Sequence, residues 1–296
     1  MGVDLGSYLE QRRQRVEQAI EKALPPRHPD PGRLVEAMRY TLLLPAKRLR
    51  GIICLAVSEV LGGRQRHVMP LAVAAEMIHA SSLILDDLPS FDDARRRRGA
   101  MAAHLAFGES TAILAAVGLL NAAYRHLGGA ARTRWIGPDD GSMAVRALAG
   151  AVGEDGMIAG EALDLAAGDQ SPELAELERI HALKTGSLFI ACAVEAGRVS
   201  GAGAAELAAL EAWAKNLGLA FQITDDLLDV VGDPQVTGKD VGHDHAGTSF
   251  VAFAGVEGAR RLAAELVETA VESLSALGQR AEPLVAIARF VGRRDQ

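Results

Sequence analysis

Two aspartate clusters constrain this chain more than any other feature. They are Asp86-Asp87-Leu88-Pro89-Ser90-Phe91-Asp92-Asp93 and Asp225-Asp226-Leu227-Leu228-Asp229. Each ends an apolar run of helical character, Met77 to Leu85 and Leu217 to Thr224. A carboxylate beside such a run is costly unless it is paired, because an unpaired charge loses its hydration away from water. The fold must therefore offer these acids cations, Arg or Lys partners, or solvent. Oxygen-only ligand sets select hard divalent ions such as Mg²⁺, which keeps several waters and shares substrate phosphates. The pattern predicts a Mg²⁺–diphosphate site, with Asp86, Asp87, Asp92, Asp225, Asp226 and Asp229 facing one another.

The rest of the sequence says what could carry such a site. Ala and Leu abound and alternating β-branched runs are scarce, which argues for helices throughout. Breakers at Pro25-Pro26, Gly62-Gly63, Gly128-Gly129, Gly137-Pro138, Gly201-Ala202-Gly203 and Gly232-Asp233-Pro234 divide it into about a dozen helical segments. No linker, low-complexity tract or repeat is visible, so residues 1–296 are expected to form one all-α domain with a substantial core. A formal net charge of -7 argues against nucleic-acid binding, and the local run Arg95-Arg96-Arg97-Arg98 reads as a phosphate clamp. Cys54 and Cys192 are too few for a disulfide framework and suit a reducing compartment. The charged stretch Met1 to Ile20 is unlike a signal peptide, and the longest apolar stretch, Thr111 to Tyr124, is too short to span a bilayer. A cytoplasmic protein without a transmembrane segment is expected.

Helical geometry sharpens the site. Asp225 and Asp229 lie one turn apart and share a face with Phe221 and Gln222. Pro89 should end or distort its helix and so return Asp92 to the side of Asp86. His79 precedes Asp86 by two turns and should project the same way. The cations occur as Lys47-Arg48-Leu49-Arg50, Arg97-Arg98, Lys184-Thr185 and Lys239, in a chain with only five lysines. Arg supplies bidentate phosphate clamps and Lys a compact charge. Blander readings exist for each: a solvated acidic helix face, a core histidine, solvated basic side chains. What sets this chain apart is both signs together, acids to hold cations and cations to hold phosphates.

These residues resemble the trans-isoprenyl diphosphate synthases, or polyprenyl synthetases, from about Leu34 to the C-terminal arginines. The markers are Pro45 to Gly51, Glu76-Met77-Ile78-His79, Asp86 to Asp93, Arg97-Arg98-Gly99, Gly160 to Leu165, Lys184-Thr185-Gly186, Phe221 to Asp229, and Gly238-Lys239. The resemblance implies an antiparallel helical bundle around a deep central cavity, usually a homodimer. It implies three Mg²⁺ ions per active site, with Asp86 and Asp92 on one wall, Asp225 on the other and Asp229 in support. Lys47, Arg50, His79 and Arg98 would hold isopentenyl diphosphate. Arg97, Lys184, Thr185, Gln222 and Lys239 would hold the allylic diphosphate, whether dimethylallyl, geranyl or farnesyl.

Several positions depart from the family pattern. Ala46 stands where Gly is usual, Gly51 where Pro is usual, and Glu161 where Gln is usual, which adds negative charge near the site. The family's second lysine is missing around Asp244 to Phe250, where Gly247-Thr248-Ser249 stands. In the family that these residues resemble, bulk five residues before the first cluster limits product length; here that residue is small, Ser81 followed by Ser82, which implies depth for another five-carbon unit and favours geranylgeranyl diphosphate (C20) over farnesyl diphosphate (C15). A class I terpene cyclase would share the metal chemistry but needs no second diphosphate site. A non-catalytic regulatory subunit is a third reading, resting on the missing lysine.

Overall fold

A computed structural model describes residues 4–24, 32–130, 138–168, 172–231 and 248–293. Its elements are α1 (Leu5–Ala23), α2 (Gly32–Leu43), α3 (Leu49–Val60), α4 (Gln65–Asp86), a two-residue hairpin β1 (Arg96–Arg97) and β2 (Ala100–Met101), α5 (Ala103–Phe107) and α6 (Glu109–Ala130). Then come α7 (Pro138–Val152), α8 (Met157–Ala167), α9 (Leu174–His181), a π-helical turn (Ala182–Gly186), α10 (Ser187–Val199) and α11 (Ala204–Val231). The last elements are α12 (Phe250–Ser273), a 3₁₀ segment (Leu274–Ala281) and α13 (Glu282–Val291). The all-α antiparallel bundle expected from the sequence is what the chain adopts.

Core helices are recognisable by burial all round. In α3 every residue from Leu49 to Ser58 is buried, and in α4 so is the run Leu71 to Ile78. With 22 residues and few charges, α4 is long and apolar enough to cross a bilayer, yet it is packed between α3 and α6 and most of it is buried. It is therefore a core helix, since lipid-facing side chains would have to be outward-facing. Gly51 is one of the departures noted above, and its backbone N–H donates to Glu76 Oε1 at 2.9 Å in the interior. A proline at that position could not make this bond.

Three features of the scaffold place the site. α4 stops at Asp86, three residues before Pro89, whose ring and missing N–H do not let the helix continue. α11 runs 28 residues, packs on α10 and α12, and carries the second cluster near its C-terminal end. A small second core of Leu177, Ile223, Leu227, Phe250, Val251, Ala259 and Ala263 locks that end of α11 to α9 and α12. The hairpin is the one strand pair among the described residues. Its turn puts Arg98 (φ 53°) and Gly99 (φ 77°) in the left-handed region that two-residue hairpins require. Hydrophobic periodicity could not reveal it, since the strands are Arg-Arg and Ala-Met.

Candidate active site

A cavity of about 550 Å³ lies between α4, α8, the π-turn and α11. Its lining includes Asp86 and Asp92 on one side and Asp225 and Asp226 on the other. The chain turn predicted at Pro89 does return Asp92 to Asp86: the Asp92 N–H donates to the Asp86 carbonyl at 2.9 Å. Burial pushes the Asp86 carboxyl up to about 7, with Glu161 and Asp92 adding to the shift while Lys184 and Arg97 oppose it. An ionised Asp86 is thus costly in the bare protein, and a cation beside it would remove that cost. Among the described residues no three His, Cys, Asp or Glu side chains form a preassembled metal cluster.

Not all six acids face one another. The Asp87 carboxylate accepts from Arg97 Nε at 2.7 Å and is paired with the same guanidinium through Nη2. Asp226 accepts from Gln222 Nε2 at 2.9 Å and from the Phe250 backbone N–H at 2.7 Å, which secures the first residue of α12. Asp229 is half-buried and outside the cavity lining. Helical geometry explains the split: successive residues point about 100° apart, so of two adjacent aspartates only one can face the cavity squarely.

The predicted cations divide in the same way. Arg50 and His79 line the cavity. The Arg50 guanidinium stacks over Phe189 at 4.7 Å, and its buried Nε makes no hydrogen bond among the described residues. Burial, followed by the charges of Arg50, Arg98, Arg48 and Arg97, keeps His79 neutral, with its pKa well below the usual value. Arg98 is not in the lining; its buried Nη1 makes no hydrogen bond among the described residues, and burial lowers its pKa to about 10. Uncompensated guanidinium N–H groups next to a cavity are what an oxyanion can satisfy. Lys47 is exposed and does not line the cavity. Lys239, like His243 and His245, lies outside the described residues.

Lys184 and Thr185 sit on the π-turn, a geometry associated with functional positions. Two glycines let other helices close on it: a Cβ on Gly160 would lie 2.1 Å from the Lys184 nitrogen, and one on Gly218 would lie 2.9 Å from the Gly186 Cα. Thr185 Oγ1 donates to Gln222 Oε1 at 2.8 Å, so Thr185, Gln222, Asp226 and Phe250 form one relay. The Lys184 ammonium contacts Glu161 Oε2 at 2.8 Å and Asp164 Oδ2 at 2.5 Å. Burial works against that ammonium, but Glu161 and Asp164 outweigh it and hold its pKa above the usual value.

Sequence reasoning left Asp164, His181 and Thr248 without roles. Asp164 Oδ1 accepts from Thr248 Oγ1, and the Thr248 carbonyl is 2.7 Å from His181 Nε2. The three-residue spacing of Glu161 and Asp164 places both on one helix face and could have flagged the pair. Nothing in sequence could have joined Asp164 to Thr248. Ser81 and Ser82 line the cavity together with the apolar Leu120 and Val152, and Ser81 Oγ donates to the Ala116 carbonyl at 2.8 Å.

The sequence pattern of the family described as polyprenyl synthetase matches residues 31–275. A chloroplastic geranylfarnesyl diphosphate synthase of Leucosceptrum canum is 37% identical over 299 residues, covering 99% of this chain and 81% of that one. The apo crystal structure of an FPP/GFPP synthase from Zymomonas mobilis superposes with a TM-score of 0.86 at 34% identity, covering 99% of this chain and 100% of the other. A Helicobacter pylori geranyltransferase, solved with magnesium and isoprenyl diphosphate, superposes with a TM-score of 0.84 at 29% identity, covering 99% and 97%.

Proposed function

This chain belongs to the polyprenyl synthetase family, and from that premise we propose that it condenses isopentenyl diphosphate with an allylic diphosphate to give geranylgeranyl diphosphate. It is a short-chain prenyl diphosphate synthase, hence a transferase. The observation that carries the detailed reading is one cavity with acids on both walls, cations beside them and an apolar depth beneath.

Asp86, Asp92 and Asp225 are the residues suited to hold Mg²⁺, three ions per site, with Asp229 in support. When bound, Mg²⁺ stabilises the charge that develops on a departing diphosphate. In our reading Arg97, Lys184, Thr185, Gln222 and Lys239 grip the allylic diphosphate. Asp87 fixes the Arg97 guanidinium, and Asp226 fixes Gln222, so both act as positioning residues rather than ligands. Arg50, Arg98, neutral His79 and Lys47 take isopentenyl diphosphate, whose oxygens accept the hydrogen bonds that the buried Arg50 Nε and Arg98 Nη1 do not make among the described residues.

The reaction breaks the allylic C–O bond. The double bond of isopentenyl diphosphate attacks the resulting carbocation, and a proton leaves to the departing diphosphate. Leu85, Leu120, Val152 and Phe221 keep water away from the cation and pack along the growing chain. Ser81 leaves that depth open to a C20 product. This length falls between the farnesyl and geranylfarnesyl products named for the similar proteins above.

A homodimer is part of the same reading. α6 presents Ile113 (42% exposed), Leu114 (59%) and Val117 (58%) beside Leu105 of α5, an apolar face larger than scattered surface residues explain. We further read residues 1–296 as one catalytic domain, and the reduced, buried Cys54 and Cys192 as suited to the cytoplasm. The test is incubation of the purified protein with isopentenyl diphosphate and Mg²⁺, adding dimethylallyl, geranyl and farnesyl diphosphate separately. Each primer should be extended to C20. Accumulation of C15 would assign a farnesyl diphosphate synthase, and no condensation with any primer would leave the regulatory-subunit reading in its place.

A further inference from the structure

We propose that Glu161 is a positioning residue that withholds Lys184 from an incoming diphosphate until cations have entered the cavity, so that it sets the loading order of metal and allylic substrate. The inference rests on the prenyl-transfer reading above.

An ammonium has three N–H donors and no acceptor. Two acids already engage that of Lys184, Glu161 at 2.8 Å and Asp164 at 2.5 Å, from one face of α8. The two are not equivalent. Asp164 is buried and its other oxygen is tied to Thr248, so it belongs to the scaffold. Glu161 lines the cavity and, among the described residues, is hydrogen-bonded or ion-paired to Lys184 alone. It is the member of the clasp free to let go.

Charge gives the clasp its consequence. One ammonium between two carboxylates leaves a local net charge of −1, with the buried Asp86 carboxyl close enough to be perturbed by both Lys184 and Glu161. A diphosphate arriving without metal meets that negative field and must displace Glu161 from Lys184. After cations have countered the acids, Glu161 has another positive charge to face, and Lys184 can turn a donor to the diphosphate. A glutamine at 161 would keep an acceptor oxygen near Lys184 while removing the charge.

The test is isothermal titration with inorganic pyrophosphate, once in EDTA and once at saturating Mg²⁺, on the wild type, Glu161→Gln and Glu161→Asp. A close unit charge in a partly screened site is worth about tenfold in affinity or more. Glu161→Gln should therefore bind pyrophosphate about tenfold more tightly than wild type in EDTA, and the gap should narrow to within about threefold in Mg²⁺. Glu161→Asp should follow the wild type. Adding Lys184→Gln to Glu161→Gln should abolish the gain, which a purely structural role for Glu161 would not predict. Equal metal-free affinities in wild type and Glu161→Gln, with circular dichroism showing both folded, would overturn the proposal. Its failure differs from that of the functional reading, which would show as no prenyl condensation by the wild type whatever these titrations give.

Discussion

Replacing Ser81 with Phe tests the depth of the cavity directly. Ser81 is buried against α6 and lines the cavity, so a larger side chain there has no route to solvent. The substitution forfeits the hydrogen bond to the Ala116 carbonyl, worth about 1 kcal/mol, and any crowding costs roughly 1–3 kcal/mol more. The protein should fold. Phe carries about five more heavy atoms than Ser, the bulk of one isoprene unit, and they occupy the space the final unit needs. At ~0.8 kcal/mol per buried carbon, excluding five carbons removes about 4 kcal/mol, roughly a thousandfold in the last elongation step. Extension of farnesyl diphosphate should fall by that order, while extension of dimethylallyl diphosphate changes by less than about tenfold. The assay is product separation by chain length from each primer. A folded S81F protein that still makes the wild-type spectrum would refute the assignment of Ser81 to the cavity floor.

Other substitutions probe the scaffold. Asp226→Ala leaves the Phe250 N–H and Gln222 without their acceptor, at a cost of about 1–3 kcal/mol, and should lower Tm by roughly 2–5 °C in calorimetry. An unchanged Tm would mean that Asp226 does not anchor α12. Gly160→Ala drives a methyl into the backbone of the π-turn, where 2.1 Å is available, and should cost at least about 3 kcal/mol and impair pyrophosphate binding. Wild-type stability in that variant would show that α8 stands further from Lys184. Leu114→Glu puts a charge on the exposed apolar face of α6 and should shift light-scattering mass from dimer to monomer. A monomeric wild type would remove the case for the homodimer.

The sequence made the positions of chemistry legible because their constraints are local. A proline after an apolar run ends α4 at Asp86, and two-turn spacing aligns His79 with it. Orientation was less legible. Adjacent aspartates look equivalent on paper, but the Asp87 carboxylate is held by Arg97, and that of Asp226, though it borders the cavity, by Gln222 and the start of α12. Contacts across long stretches of chain were not legible at all. Asp164 meets Thr248 across 84 residues, and the Lys184 clasp joins two helices through a π-turn that no periodicity announces. The glutamate at 161 is visible in the sequence as an added negative charge, but its pairing with Lys184, 23 residues on, depends on how α8 packs against the π-turn.

Opposed acids holding Mg²⁺ against a diphosphate are the core of the proposed site, and differential scanning calorimetry with Mg²⁺ and pyrophosphate tests them most directly. At a hundredfold excess over Kd, ligand binding stabilises the folded state by about 2.7 kcal/mol, which for a chain of this size is a rise in Tm of roughly 4 °C. The wild type should show that rise only when both are present, and Asp86→Ala and Asp225→Ala should each abolish it while remaining folded. A full Mg²⁺-dependent rise in both variants would contradict the two-wall site.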